Sequence, residues 1–171
     1  LMAGFVRGWP LTMVGRDQGD TFRASLAREL GESEYLSFTE ANLEQREVER
    51  DGFDLLLECT GSDEILLHAS QSLAARGVAV WLGAAREPQS ANRNVDRLMR
   101  NAILRNHIHL GTVNAAMRDF SDALNHLRIM QNDRAESLAR LFTKRVALED
   151  SLAEYTSREP QSVKVIIDFP A

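Results

Sequence analysis

Cysteine is nearly missing from this 171-residue chain, which carries one, Cys59. A single thiol excludes an internal disulfide. The start of the chain shows no basic, apolar and small-residue export signal, so a reducing cytoplasm is the expected compartment. Basic charge is also scarce: 20 Lys and Arg face 25 Asp and Glu, for a formal net charge of -5. A nucleic-acid footprint needs cations clustered on one face to displace counterions, and no basic block is available. Apolar runs such as residues 55–57 and 78–82 are far too short for a membrane-spanning helix, which needs about 20 residues. There is no Walker loop, no metal-spaced cysteine cluster, no Ser/His/Asp arrangement, no repeat and no Pro/Ser-rich linker. Small molecules and proteins remain as the expected partners.

What is present is an alternation of apolar, β-branched stretches with helical ones. Residues 11–14 form a short apolar run between Pro10 and Gly15, as a buried strand does. In residues 21–30, Phe22, Leu26 and Leu30 recur every four positions, with Asp20 as the N-cap and Gly31 as a left-handed stop. Strands are expected again at 35–38, 53–59, 78–82 and 108–113, with helices at 63–75 and 94–104. The charged stretch 40–51 reads as a solvated helix or loop, and 85–93 as an extended polar loop. Strand and helix at this spacing predict a doubly wound α/β fold, a parallel sheet with right-handed crossovers. The third strand is mostly apolar, as expected where helices cover both sheet faces. Beyond Asn114 three helical stripes follow: Phe120, Leu124 and Leu127; Leu138, Leu141 and Phe142; Leu148, Leu152 and Tyr155. Residues 162–169 close the chain as a strand.

In open parallel sheets ligands bind at the carboxyl ends of the strands. The first such end is Gly15-Arg16-Asp17. In dinucleotide folds this place meets the adenosine ribose, where an acid takes the 2′-hydroxyl of NAD and an arginine the 2′-phosphate of NADP. Arg16 and Asp17 offer one of each, and an ordinary polar turn accounts for them equally well. Thr60-Gly61, Leu82-Gly83-Ala84 and Gly111-Thr112-Val113-Asn114 end three further strands with small residues that let backbone approach a flat ligand. His107 and His109 share one strand face and resemble part of a metal site, but no third ligand lies beside them, which favours an exposed edge-strand face. His68 and His126 read as surface positions within helices. Cys59 lies in a buried strand without a neighbouring cation and reads as a packed, unreactive thiol.

The stretch from Arg100 through Asn101, Asn106, Gly111, Thr112, Val113 and Asn114, followed by Asp119, Phe120 and Ala123, resembles the C-terminal half of the glucose dehydrogenase branch of the zinc-dependent medium-chain dehydrogenase/reductase superfamily. Gly15-Arg16, Glu58-Cys59-Thr60-Gly61, the segment from Gly77 to Gly83 and the final strand from Ser162 to Phe169 fall in the matching order. The resemblance implies a Rossmann-like sheet lacking its first strand and Gly-rich turn, followed by a C-terminal helical and strand return segment. Residues 1–132 are then an incomplete dinucleotide-binding domain, and 133–171 return toward a catalytic domain outside the chain. The implied activity is hydride transfer between an aldose C1 and NADP or NAD, with zinc held in that other domain. The 171 residues alone are expected to be inactive. The implied cofactor-binding residues are Gly15, Arg16, Asp17, Thr60, Leu82, Gly83, Ala84, Thr112, Val113, Asn114 and Lys164. Asn114 would also reach the sugar. Asp17 departs from NADP-using relatives, which often carry a second arginine there. The resemblance further implies a homo-oligomer joined along the edge strand from Ile108 to Val113. Alternative substrates are a polyol, an alcohol or threonine, and an alternative role is a non-catalytic oligomerisation module. Without their central neighbour, the strands at 11–14 and 53–59 are expected to have unpaired edges.

Overall fold

A computed structural model describes residues 2–31, 33–38, 52–84, 95–156, 159 and 161–170. The stretches expected at 40–51 and 85–93 lie outside the described residues. The chain forms two compact units, Leu1–Ala41 with Ala116–Ala171, and Asn42–Ala115.

The first unit begins with helix α1 (Met2–Arg7), strand β1 (Thr12–Gly15), helix α2 (Phe22–Gly31) and strand β2 (Glu34–Ser37). The strands pair in parallel, Thr12 with Glu34 through Gly15 with Ser37. The helix-start bond comes from Thr21, whose hydroxyl accepts from the Ala24 N–H, and not from Asp20. Gly31 is the last residue of α2, not a stop beyond it. The same unit holds helix α5 (Met117–Asp133), the short helix α6 (Ala135–Ala139), strand β6 (Phe142–Ala147), helix α7 (Ser151–Thr156) and strand β7 (Lys164–Asp168). Strand β6 was not expected. Its parallel pairing with β7 takes up Phe142, which the helical spacing had assigned to a stripe with Leu138 and Leu141. Leu26, Leu30, Met130 and Leu138 form the core, with Phe5, Phe22, Leu127, Leu141 and Val163 packed around them. Phe120 and Leu124, two residues of the stripe expected with Leu127, are exposed, at 60% and 67%.

The second unit is a three-stranded parallel sheet of β3 (Phe53–Glu58), β4 (Leu73–Trp81) and β5 (Ile108–Gly111), in that order. Helix α3 (Asp63–Ala69) and a 3-10 turn lead from β3 to β4, and helix α4 (Asp96–Leu104) leads to β5. Ser62 caps α3 by accepting from the Ile65 N–H, and Asp63 and Glu64 in its first turn suit the helix dipole. Helix α3 is shorter than expected and β4 begins earlier, because a bulge around Arg76, at φ +65°, separates the Leu73 pairing from the regular ladder that starts at Val78. Among the described residues β1 pairs only with β2, and β3 only with β4. Leu55 and Leu57 on β3, with Ile108 and Leu110 on β5, are 41–55% exposed, against the expectation of helices on both faces. Successive right-handed crossovers that step in one direction put their helices on one face, so within this unit the other face is open.

Candidate functional site

The three strands of the second unit end in step, since Glu58 pairs with Trp81 and Trp81 with Gly111. Thr60-Gly61, Leu82-Gly83-Ala84 and Thr112-Val113-Asn114 therefore leave the sheet at one edge. The turns are fastened to the ladder. The N–H groups of Leu82 and Gly83 donate to the Glu58 carbonyl at 2.8 and 3.1 Å, and Thr112 N–H donates to the Trp81 carbonyl at 3.1 Å. Backbone lies on backbone there: a Cβ added at Gly83 would stand 2.2 Å from the Gly61 nitrogen and 2.8 Å from that of Thr60. A glycine is required at 83 by this approach, and no side chain separates the two turns.

Beneath the turns lies a carboxylate that sequence reasoning left without a role. Glu58 is 5% exposed. Its Oε1 accepts from Thr60 N–H at 2.6 Å, from the Thr60 hydroxyl at 2.5 Å and from Gly61 N–H at 3.2 Å, and Oε2 lies 3.2 Å from the same Gly61 nitrogen. A carboxylate is tolerated in such a place only when donors surround it, and charge-assisted bonds of this kind are among the stronger ones. Its effect is to hold the Thr60-Gly61 turn rigid. The available signal was an acid closing an apolar strand directly before Thr-Gly, whose N–H groups need an acceptor.

Beyond the turns, Leu82 is half exposed and Val113 is 84% exposed. Asn114 takes a left-handed backbone at φ +67°, which asparagine adopts more readily than most residues. The edge thus offers backbone, small residues and a few exposed side chains, a surface suited to a flat ligand.

In the first unit, the turn Gly15-Arg16-Asp17 is fixed from three sides. The Tyr35 hydroxyl donates to the Asp17 carbonyl at 2.9 Å and packs so close to Gly15 that a Cβ there would meet it at 2.4 Å. Burial first, and then the Asp17 charge, push the Tyr35 phenol above its ordinary range. Arg28 sits over the Tyr35 ring, 5.7 Å from its centroid, and donates to the Gly19 carbonyl at 2.7 Å. Arg23 places one guanidinium nitrogen 3.6 Å from the Asp17 carboxylate and donates through the other to the Ser162 carbonyl at 2.8 Å. That second bond ties the turn to the entry of β7, where Lys164 has an exposed side chain. Arg16 itself is exposed.

Of the expected site residues, Thr60, Leu82, Gly83, Ala84, Thr112, Val113 and Asn114 gather at one edge of the second unit. Gly15, Arg16, Asp17 and Lys164 lie in the first. Two other expectations are corrected. Cys59 falls one residue past β3 and is exposed; partial desolvation, then the Glu58 charge, raise its thiol pKa, which keeps it unreactive. His107 and His109 are not on an exposed face: their ring nitrogens are buried, and the rings stand 6.0 Å apart with Trp81 5.6 Å from His109. Burial lowers the pKa of both. Among the described residues no three His, Cys, Asp or Glu side chains come together to hold a metal ion, and no helix is long and apolar enough to cross a membrane. A cavity of about 200 Å³ lined by Phe22, Thr143, Lys144, Glu159, Gln161 and Ser162 includes none of the expected site residues.

Comparison with known proteins gives these turns a context. A glucose 1-dehydrogenase from Thermoproteus tenax is 33% identical over 142 residues, covering 83% of this chain and 39% of that protein. Glucose 1-dehydrogenase 1 of Caldivirga maquilingensis is 29% identical over 158 residues, 92% of this chain and 43% of its own length. The chain thus spans about two fifths of these relatives. The fold superposes on glucose dehydrogenase from Haloferax mediterranei, solved in complex with NADP, Zn and gluconolactone, with a TM-score of 0.79 at 20% identity over 95% of this chain and 44% of that one. Benzyl alcohol dehydrogenase from Acinetobacter calcoaceticus gives 0.77 at 24% identity over 99% of this chain and 46% of that one. These neighbours establish a Rossmann-type fold. The family model described as glucose dehydrogenase C-terminus matches residues 2–169, and the chain belongs to that family.

Proposed function

We propose that the chain is the NAD(P)-binding portion of a zinc-dependent sugar dehydrogenase that moves hydride from an aldose C1, glucose first, to NAD(P). The observation that carries the reading is the interlocked pair of turns at Gly61 and Gly83, where backbone lies directly on backbone, fixed by Glu58. A dinucleotide fits this chemistry. Leu82, Gly83, Ala84, Thr60, Thr112 and Val113 would line its nicotinamide half, and Gly15, Arg16 and Asp17 its adenosine end. Lys164 would contact it from the return strand, and Asn114 would hydrogen-bond both cofactor and sugar. In bound form the cofactor supplies the hydride acceptor; these residues bind, orient and keep water from it. The described residues lack a zinc-ligand set, so zinc would be held elsewhere in the whole protein.

In this reading, residues 1–132 are dinucleotide-binding and 133–171 form the return segment. The whole protein works in the cytoplasm as a homo-oligomer joined along β5 and the residues leading to Val113. That pairing is supported by the exposed Ile108 and Leu110 and by a β5 edge without a strand partner among the described residues. The test is thermal unfolding of the chain with and without NADP and NAD. A ligand at a hundred times its Kd stabilises by about 2.7 kcal/mol, which for a chain of this size raises Tm by roughly 5–10 °C. No shift with either cofactor at millimolar concentration overturns the reading.

A further inference from the structure

The turn after β1 presents a contradiction on its face. Arg16 would attract a 2′-phosphate and Asp17 would repel it, so the two side chains point to opposite cofactors. The structure separates them. Arg16 is exposed and forms no ion pair among the described residues, whereas the Asp17 carboxylate lies 3.6 Å from Arg23. Arg23 is held in that position by its second bond, to the Ser162 carbonyl at 2.8 Å, across 139 residues of chain. The Asp17 backbone is held as well, through its carbonyl, by the buried Tyr35. Arg28, over the Tyr35 ring and bonded to the Gly19 carbonyl, adds a further positive charge near the turn.

We propose that Arg23 decides the cofactor choice: by occupying the Asp17 carboxylate it removes the acid from the ribose and leaves Arg16 to receive the 2′-phosphate, so that NADP is preferred over NAD. The inference rests on the reading that the Gly15-Arg16-Asp17 turn meets the adenosine end of the cofactor, and it adds the selectivity and the residue that sets it. Arg23 acts through Asp17, as a positioning residue. An acid that would otherwise accept a ribose 2′-hydroxyl is paired with Arg23, and the charges of Arg16, Asp17 and Arg23 together sum to a positive one.

Calorimetric titration of the full chain with NADP and with NAD tests this. The wild-type chain is expected to bind NADP more tightly than NAD. Arg23→Gln frees Asp17 and should weaken NADP about tenfold, the scale of one partly screened unit charge, while NAD binds no more weakly than before. Adding Asp17→Asn to Arg23→Gln should restore most of the NADP affinity. Asp17→Asn alone should tighten NADP several-fold, a gain that misfolding cannot produce. A purely structural role through the Ser162 bond predicts instead that Arg23→Gln weakens both cofactors and that Asp17→Asn restores neither; that result overturns the inference. So does a wild-type chain that binds both cofactors equally, which leaves the cofactor reading intact. A chain that binds neither overturns both.

Discussion

Replacing Gly83 by alanine tests the interlocked turns directly. The added Cβ would lie 2.2 Å from the Gly61 nitrogen and 2.8 Å from the Cys59 carbonyl carbon and the Thr60 nitrogen. All three are backbone atoms in a turn that Glu58 holds, so none can rotate aside as a side chain would. To reach ordinary contact near 3.4 Å, one turn must retreat by about 1 Å. That movement stretches the bonds from Leu82 and Gly83 N–H to the Glu58 carbonyl, each worth about 1 kcal/mol net. Overpacking adds about 1–3 kcal/mol. A loss of about 3 kcal/mol is expected, read from urea unfolding followed by tryptophan fluorescence in a Trp9→Phe background, which leaves Trp81, two residues away, as the probe. The matched control is Gly111→Ala at the end of β5, where an added Cβ meets nothing within 4 Å. It should cost less than about 1 kcal/mol, roughly the strand-interior preference of one residue. Equal urea midpoints for the two variants would refute the reasoning, because the sole difference it invokes is the proximity of the Gly61 backbone.

Two further outcomes follow from burial. Met130→Ala removes a fully buried side chain from the core formed with Leu26, Leu30 and Leu138, and should cost about 2–5 kcal/mol by urea denaturation of the first unit; a cost under about 1 kcal/mol would mean that this core is loosely packed. His107 and His109 have pKa values lowered by burial, so below the ordinary value of 6.5 the unfolded chain binds more protons than the folded one. Their contribution to stability is therefore complete above pH 6.5 and is lost as pH falls from there toward the folded-state values. The carboxylates of Glu29, held down first by its bond from Arg140, and of Asp168, held down by Arg145, lose theirs only below the ordinary carboxylate range. Urea midpoints at pH 7 and pH 5.5 should differ for the wild-type chain, and the difference should shrink in a His107→Asn, His109→Gln variant; an undiminished difference assigns it elsewhere.

Much of the fold was legible because strand ends announce themselves. The positions of β1 and β3 follow from apolar runs with glycine beside them, and β1, β2, β3 and β5 were each placed to within one or two residues. The misplaced start of β4 has a local cause: a bulge at Arg76 inside Ala-Ala-Arg-Gly looks, letter by letter, like a helix end. Strand β6 was hidden because Leu138, Leu141 and Phe142 have helical spacing, while the partner that makes Phe142 to Ala147 a strand is β7, some 20 residues away, and no local pattern encodes that pairing. The burial of His107 and His109 was misjudged for a similar reason. Alternation shows that two residues share a face, but which face the crossovers cover is set by the direction in which the strands step. The candidate site was legible as segments, since small residues after a strand are a local signal. The bonds that build it were not, because Glu58 to Gly61 is a matter of side-chain rotamer and Arg23 to Ser162 joins residues 139 positions apart.

Those two bonds share a consequence. Two of the acids that stand at strand ends, Asp17 and Glu58, are both engaged by the protein itself: one by a guanidinium, the other by two backbone N–H groups and a hydroxyl. A free carboxylate at either place would repel a ligand bearing phosphates, and at partial burial, where the effective dielectric is well below that of water, one such charge is enough to change affinity about tenfold. With Asp17 paired to Arg23, the turns present small side chains and the exposed Arg16. An acidic chain can in this way keep an anion-tolerant edge without a basic patch. The cost falls on specific partners, Arg23 and the Thr60-Gly61 backbone, which is why substitutions there are expected to alter ligand choice and turn geometry before they alter the fold.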